Sequence, residues 1–163
     1  WHRHFADSAQ VWALVPSACA HWLDFGSGAG FPGLVGAILA KDKSPALKVH
    51  LVESDQRKCA FLLTVARELD LSIEVSTMRI EALSNQESDV ITARALAPLT
   101  KLLEMSYPHA HESTVLLFPK GNTYESELTA ARKHWHIEAE AIPSMTDSGS
   151  VILRIEDFHR ASQ

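Results

Sequence analysis

Cysteine is scarce in this chain of 163 residues, which has only Cys19 and Cys59. Neither residue stands in a Cys-x-x-Cys pair or at a Cys/His spacing that is typical of a zinc site. A disulfide framework is therefore not expected, and the two thiols are most simply small buried apolar side chains. Because a chain without disulfides suits a reducing compartment, we expect a cytoplasmic protein.

Long apolar runs are absent as well, and no stretch approaches the ~20 apolar residues of a transmembrane helix. We therefore expect no association with a membrane. An excess of basic residues is also lacking, since 15 Lys and Arg face 20 Asp and Glu, which gives a formal net charge of -5. This balance argues against coating of nucleic acid by a uniformly basic surface, but it leaves room for a local basic face.

Strand-like and helix-like segments alternate along the chain, as judged from apolar residues that recur at two-residue or three-to-four-residue intervals. The predicted strands are residues 21–25, 47–53, 73–77, 89–93, 114–118, 137–142 and 151–155. The predicted helices are about residues 3–15, 31–41, 55–70, 98–107 and 123–134, with Asp55 as the N-cap of the third.

This order predicts an α/β fold with a doubly wound, mainly parallel sheet and helices on both of its faces. The turn-rich residues 143–150 leave no room for a crossover helix, so the last two strands should form an antiparallel pair. We expect one domain over residues 1–163, with a helix in residues 1–15 packed on it.

A glycine turn follows the first predicted strand and reads Asp24-Phe25-Gly26-Ser27-Gly28-Ala29-Gly30. An acidic residue, Glu53, ends the second predicted strand. In a doubly wound sheet both would lie at the carboxyl ends of the strands, where ligands bind. Glycines allow the backbone to approach a nucleoside closely, and a carboxylate accepts hydrogen bonds from both ribose hydroxyls. The pairing predicts a cofactor that carries an adenosyl group.

Two cofactors compete for this turn. Residues 28–33, Gly-Ala-Gly-Phe-Pro-Gly, match the Gly-x-Gly-x-x-Gly pattern of dinucleotide sites. However, Pro32 removes one of the backbone N–H groups that a pyrophosphate needs at a helix N-terminus. The Asp24 carboxylate would repel a pyrophosphate, whereas it suits the ammonium and sulfonium of S-adenosylmethionine. We favour S-adenosylmethionine, and a nicotinamide-dependent oxidoreductase is the alternative.

Several motifs stand in the order of one family. They are His4-Phe5-Ala6-Asp7-Ser8, Trp22-Leu23-Asp24-Phe25-Gly26-Ser27-Gly28-Ala29-Gly30-Phe31-Pro32-Gly33, Glu53-Ser54-Asp55-Gln56-Arg57-Lys58, Arg79-Ile80-Glu81, Thr92-Ala93-Arg94-Ala95 and Lys120-Gly121. With them the chain resembles the ribosomal RNA small subunit methyltransferase G family, also called glucose-inhibited division protein B, over nearly its whole length. The resemblance implies a seven-stranded, Rossmann-like class I methyltransferase that uses S-adenosylmethionine to methylate N7 of a guanine in 16S ribosomal RNA. A methyltransferase for a small-molecule or protein acceptor is the alternative.

The resemblance also implies site residues. Together with the turn, it gives an expected cofactor-binding set of Asp24, Gly26, Gly28, Gly30, Phe31, Glu53, Ile80, Glu81 and Arg94. Guanine N7 carries a lone pair and no proton, so attack on the methyl group needs positioning more than a general base. No catalytic residue is therefore assigned, and the positioning candidates are Arg94, Lys120 and Glu81.

The expected partner is 16S ribosomal RNA or the small ribosomal subunit, and we expect the protein to be a monomer. Its basic contacts should come from Arg3, Arg57, Lys58, Arg94, Lys101 and Lys120. No metal is expected, since His109-Ala-His111 and His134-Trp-His136 lack a ligand spacing on a helix and no nearby sequence completes a site. Members of the family have a further helical segment before the His4-Phe5 stretch, so part of the substrate surface is expected to be missing here.

Overall fold

A computed structural model describes residues 2–161 and contains one seven-stranded sheet within that range. The strands are β1 (His21–Phe25), β2 (Lys48–Glu53), β3 (Ile73–Thr77), β4 (Ser88–Ala93), β5 (Ala110–Lys120), β6 (Trp135–Pro143) and β7 (Val151–Arg160). Their order in the sheet is β3-β2-β1-β4-β5-β7-β6. Neighbours from β3 to β5 are parallel, whereas β7 is antiparallel to both β5 and β6. The predicted fold class and the closing antiparallel pair are confirmed.

Five α-helices in the same range connect or flank the strands. They are α1 (His2–Ala13), α2 (Gly33–Lys43), α3 (Gln56–Glu68), α4 (Leu99–Ser106) and α5 (Tyr124–Ala131), and Ile80–Ala82 and Tyr107–His109 form short 3-10 turns. Each α-helix lies where the apolar spacing predicts one, with ends displaced by one to three residues. Asp55 is the N-cap of α3, as predicted, because its side chain accepts hydrogen bonds from the backbone N–H groups of Arg57 and Lys58.

β5, β6 and β7 are each longer than the sequence predicts by three residues or more. β5 begins at Ala110 and β7 ends at Arg160, so both extend well beyond the apolar runs at residues 114–118 and 151–155. The extensions are polar and largely exposed, and they are held by pairing with neighbouring backbone, for example Trp135 with Arg160. Hydrophobic periodicity marks only the part of a strand that covers the core, so it misses such ends.

The core has one layer on each face of the sheet. One layer packs α4 and α5 against strand residues such as Phe25, Phe118 and Leu153. The other packs α1, α2 and α3 against Trp22 and Leu51. Each of these fully buried side chains contributes roughly 1.5–3 kcal/mol by leaving water.

The strand order reverses beside β1, which lies between β2 and β4. Chain segments that leave these three strands at their carboxyl ends therefore diverge and open a crevice, which is where doubly wound sheets bind ligands. Among residues 2–161 no helix has the length and apolar character required to span a membrane.

Candidate cofactor and acceptor site

The glycine turn after β1 has a backbone that favours glycine. Gly26, Gly28 and Gly30 have φ angles of 61°, 54° and 94°. A side chain is strained in this left-handed region, so the turn itself favours glycine at all three positions. The backbone N–H of Ser27 donates to the carbonyl of Val52 at 3.1 Å, which ties the turn to β2.

Glu53 lies beside this turn at the end of β2. It is 8% exposed, and its two oxygens accept hydrogen bonds from the backbone N–H groups of Gly28 and Asp55, each at 2.9 Å. Two carboxylate oxygens offer about four acceptor positions, so the group still has capacity for the hydroxyls of a sugar. The two backbone bonds fix its orientation before any ligand arrives.

A cavity of about 390 Å³, which we call the cofactor cavity, opens over the turn and Glu53. Its lining comes from the ends of β1, β2, β3 and β4, as the fold predicts. It brings together six residues of the expected cofactor set, namely Gly26, Gly28, Glu53, Ile80, Glu81 and Arg94. Ile80 is buried and supplies an apolar wall, while Glu81 is exposed at the rim. The shape and chemistry fit an adenosyl ligand, with an apolar wall for a base and a fixed carboxylate for a ribose.

Asp24 does not line this cavity. It is 1% exposed and lies beneath the turn, where its Oδ1 accepts a hydrogen bond from the Thr92 hydroxyl at 2.6 Å. Thr92 accepts in turn from the indole N–H of Trp22 at 2.8 Å. Asp24 Oδ2 has no hydrogen-bond partner within the described part of the chain and faces the first turn of α2 at Gly33. Burial raises the pKa of this carboxyl group to about 6.

Gly30 and Phe31 are also turned away from the cavity. A Cβ at Gly30 would lie 2.6 Å from Cβ of Leu34, so this glycine allows the turn to pack closely against α2. The Phe31 ring packs against the rings of His4 and Phe5 on α1, with centroids 5.5 and 5.2 Å away. The second half of the turn therefore positions helices, whereas the first half faces the cavity.

Arg94 stands between two cavities. Its side chain lines the cofactor cavity and also a second cavity of about 490 Å³. Its guanidinium Nη2 is 2.6 Å from His4 Nδ1 and 3.7 Å from the Asp7 carboxylate, so α1 holds it in place. Asp7 also accepts a hydrogen bond from the Thr146 hydroxyl in the loop between β6 and β7. The segment 94–97 after β4 is the wall that the two cavities share.

Lys120 lines the second cavity but has little freedom. Its side chain is 9% exposed, and Nζ donates to the carbonyl of Ala97 at 2.9 Å and to Glu127 at 2.7 Å. The same Glu127 oxygen accepts from the backbone N–H of Leu99 at 2.8 Å. Lys120 thus fastens the end of β5 to the shared wall and to α5.

The six predicted basic contacts divide into two groups. Arg57, Lys58 and Lys101 are exposed, and Lys58 and Lys101 line the cofactor cavity. Arg94 and Lys120 are largely covered and bonded to carboxylates, and Arg3 is exposed but bonded to Asp147 at 2.6 Å. Within the first group, Lys101 Nζ is 3.6 Å from the Glu104 carboxylate, an exposed ion pair that a phosphate can replace.

Sequence reasoning missed several residues that line the cavities. They are Met78 in the cofactor cavity and Gln10, Ser144 and Ser150 in the second cavity. Met78 directly precedes the Arg79-Ile80-Glu81 motif and could have been found from that position. The other residues gave no signal, because the loop that carries Ser144 and Ser150 reaches the site only through its contacts with α1.

The fold, with the glycine turn where the strand order reverses, is the one found in S-adenosylmethionine-dependent methyltransferases. A crystal structure of such a methyltransferase from Aquifex aeolicus superposes with a TM-score of 0.68 at 18% identity, over 91% of this chain and 89% of that one. At this identity the likeness concerns the fold.

Sequence comparison gives the family. The family model for GidB, rRNA small subunit methyltransferase G, matches residues 1–152. Proteins called ribosomal RNA small subunit methyltransferase G are similar to this chain in Cereibacter sphaeroides, at 50% identity over 96% of the chain and 75% of the relative, and in Jannaschia sp., at 50% over 98% and 75%. The chain belongs to the rRNA small subunit methyltransferase G family.

Proposed function

We propose that this protein methylates N7 of a guanine in 16S ribosomal RNA. Its membership of the family makes it an S-adenosylmethionine-dependent rRNA methyltransferase. The identity of the methylated base and of the methylated atom is what we propose beyond this. The observation that carries the proposal is the pair of adjacent cavities that share the wall at residues 94–97. One has the glycine turn and Glu53, and the other has the space and polar groups for a base.

We assign Glu53 to the ribose hydroxyls of the cofactor, because its carboxylate is fixed and faces the cavity. Gly26 and Gly28 would let the backbone approach the cofactor, and Ile80 and Glu81 would flank its adenine. When bound, the cofactor supplies a methyl group activated by a positively charged sulfur. We further assign Asp24 to holding the turn and the start of α2 from below, without contact with the cofactor.

The second cavity suits a guanine by its chemistry. Guanine presents N–H donors on one edge and the acceptors O6 and N7 on another. The cavity offers the Arg94 guanidinium as a donor and the Asp7 carboxylate as an acceptor. N7 needs no deprotonation, so the residues have to orient the base and stabilise the positive charge that develops on it. The Asp7 carboxylate lies in this cavity and is the group we assign to that purpose.

The remaining assignments are parts of the same proposal. The acceptor is 16S ribosomal RNA, free or within the small subunit, so we place the protein in the cytoplasm. We propose that it acts as a monomer of one domain over residues 1–163, which is supported by one sheet whose strands supply both cavities. The reaction itself calls for no metal, because the acceptor lone pair attacks directly.

The experiment is transfer of labelled methyl from the cofactor to small subunits that lack their own modification, followed by mapping of N7-methylated guanines in the RNA. We expect label at one guanine and none in unrelated proteins or small molecules. The matched variant is Arg94→Gln. Because Arg94 lines both cavities, we expect much reduced transfer together with weaker cofactor binding. Label in protein, or at another base atom, would contradict the proposal.

A further inference from the structure

Four side chains form a square on the exposed face of the β6–β7 pair, far along the chain from the glycine turn. His136 is paired with His159 across the two strands, and Glu138 is paired with Asp157. Alternate residues of a strand share a face, so all four project to the same side. Trp135, which precedes His136, points to the opposite side and is buried in the core. We call these four residues the edge-strand cluster, since β6 is an outer strand of the sheet.

The polar atoms of the edge-strand cluster are close together. Three potential ligand atoms, one each from His136, Glu138 and Asp157, lie within 4.8 Å of one another. Asp157 Oδ2 is 3.9 Å from His136 Nε2, and Asp157 Oδ1 is 3.2 Å from His159 Nδ1. Ligands around a tetrahedral zinc ion stand about 3.3–3.6 Å apart, given bond lengths of about 2.0–2.2 Å. Small rotations of exposed side chains would bring the three groups to that spacing.

We propose that the edge-strand cluster binds Zn²⁺ through His136 Nε2, a carboxylate oxygen of Glu138 and Asp157 Oδ2. In this arrangement His159 is a positioning residue, because its Nδ1–H donates to Asp157 Oδ1 and turns Oδ2 toward His136. One imidazole and two carboxylates are ligands that zinc accepts, and the fourth position is left to water. The dication also neutralises two carboxylates that face each other across the strands.

The backbone under the cluster is well supported. β6 and β7 remain paired from Trp135 and Arg160 to Pro143 and Val151. On the buried face the rings of Trp135 and Phe158 lie 6.2 Å apart, and Tyr107 packs against both. A metal site on this support needs little ordering of the chain. Bound zinc would cross-link the outer strand β6 to β7 and so stabilise the folded protein.

The proposal is independent of the methyl transfer. None of the four residues lines the cofactor cavity or the second cavity. The competing explanation is that these are only surface ion pairs, formed when the histidines are protonated. Surface ion pairs alone predict no saturable binding of zinc and no rise in Tm with zinc.

The test uses the whole protein without a histidine tag, stripped of metal by a chelator and titrated with Zn²⁺ at pH 7.5. We expect one saturable site by calorimetry. We also expect Tm to rise by about 5–10 °C at a hundredfold excess over the dissociation constant. The same titration with Co²⁺ gives visible absorption bands that report the ligand geometry.

Three variants and two matched controls separate the site from adventitious binding. His136→Gln and Asp157→Asn should abolish the saturable site, and His159→Gln should weaken it about tenfold. His134→Gln, an exposed histidine just before β6, and His111→Gln, which pairs with Asp89 at 3.1 Å, should bind zinc as the unaltered protein does. Unchanged binding in both His136→Gln and Asp157→Asn, or no zinc-dependent rise in Tm of the unaltered protein, would overturn the proposal.

Discussion

Glu53 serves the glycine turn and the proposed cofactor at the same time. Its carboxylate accepts two backbone hydrogen bonds and faces the cavity. We expect Glu53→Ala to weaken binding of S-adenosylmethionine by about 10- to 100-fold, since a hydrogen bond to a charged group contributes roughly 1.5–3 kcal/mol. Calorimetric titration with the cofactor measures this directly.

Asp55→Ala is the control for Glu53→Ala. Asp55 lies two residues away and caps α3, but it does not line the cavity. Its removal should cost about 0.5–2 kcal/mol of stability and leave cofactor affinity unchanged. If both variants bind the cofactor equally weakly, Glu53 acts through stability and not through contact.

Gly28 tests whether the ligand approaches the backbone of the turn. A Cβ at this position meets only the carbonyl of Gly26, at 3.6 Å, so the protein itself leaves room for a methyl group. Gly28→Ala should fold with about 1 kcal/mol of strain, because φ is positive, and should bind the cofactor at least tenfold more weakly. Gly121→Ala, where a Cβ has open space, should change neither stability nor affinity. Normal affinity in Gly28→Ala, measured by the same titration, would show that the cofactor lies elsewhere.

Asp24 makes stability depend on pH. Its pKa is raised by burial to about 6 from an ordinary 3.8, so the folded protein holds this proton more tightly than the unfolded chain. The tightly held proton stabilises the folded protein by roughly 3 kcal/mol below about pH 4, and this stabilisation is lost as pH rises through 6.

Urea unfolding of the protein and of Asp24→Asn between pH 4 and 7.5 isolates this effect. The free energy of unfolding of the unaltered protein should fall relative to that of Asp24→Asn as pH rises. The exposed Asp42→Asn provides the reference for the other titrating groups. A constant difference between the protein and Asp24→Asn would contradict the buried carboxyl group.

At the scale of elements, α1 and the loop between β6 and β7 close one side of the second cavity. Asp7 joins them, since it contacts Thr146 in the loop and Arg94 in the shared wall. We expect Asp7→Ala to expose α1 to faster hydrogen exchange and to raise the KM for ribosomal RNA about tenfold, while cofactor affinity stays within a factor of two.

The variant Gln10→Ala separates the docking of α1 on the loop between β6 and β7 from the orientation of Arg94. Gln10 bonds to the same loop through the carbonyl of Pro143 and the N–H of Met145, at 2.8 and 3.0 Å. This variant should also loosen α1 but keep the partners of Arg94. An equal rise in the KM for ribosomal RNA in Asp7→Ala and Gln10→Ala would mean that only the docking of α1 matters.

The sequence predicts the parts of this site that follow strand order and local chemistry. The positions of Gly26 and Glu53 follow from the turn and from the rule for carboxyl ends of parallel strands. The burial of Asp24 could not be predicted, because it depends on Thr92 and Trp22, which reach it from β4 and from its own strand. Periodicity likewise gives no reason to connect residue 7 with residue 146, since their contact follows from the docking of two separate elements.

For the molecule as a whole the net charge is -5, so contacts with RNA phosphates depend on local basic side chains. Lys58, Arg79 and Lys101 are exposed around the cofactor cavity. We expect RNA affinity to fall steeply with salt, and the double variant Lys58→Ala/Lys101→Ala to reduce the slope of log K against log salt by about 0.7–0.9 for each phosphate that is no longer neutralised. Lys133→Ala, outside both cavities, should leave the slope unchanged. A flat salt dependence of the unaltered protein would contradict binding through phosphates.

The position of β7 also affects how the protein folds while it is being synthesised. β7 is the last strand within residues 2–161, yet it lies inside the sheet between β5 and β6. While the chain is being synthesised, the free edge of β5 stays unpaired until residues 151–160 have emerged, and unpaired edges invite aggregation. The second cavity is incomplete for just as long, because Val151 and Ile152 line it. The second cavity therefore forms only after residues 151–160 have been made.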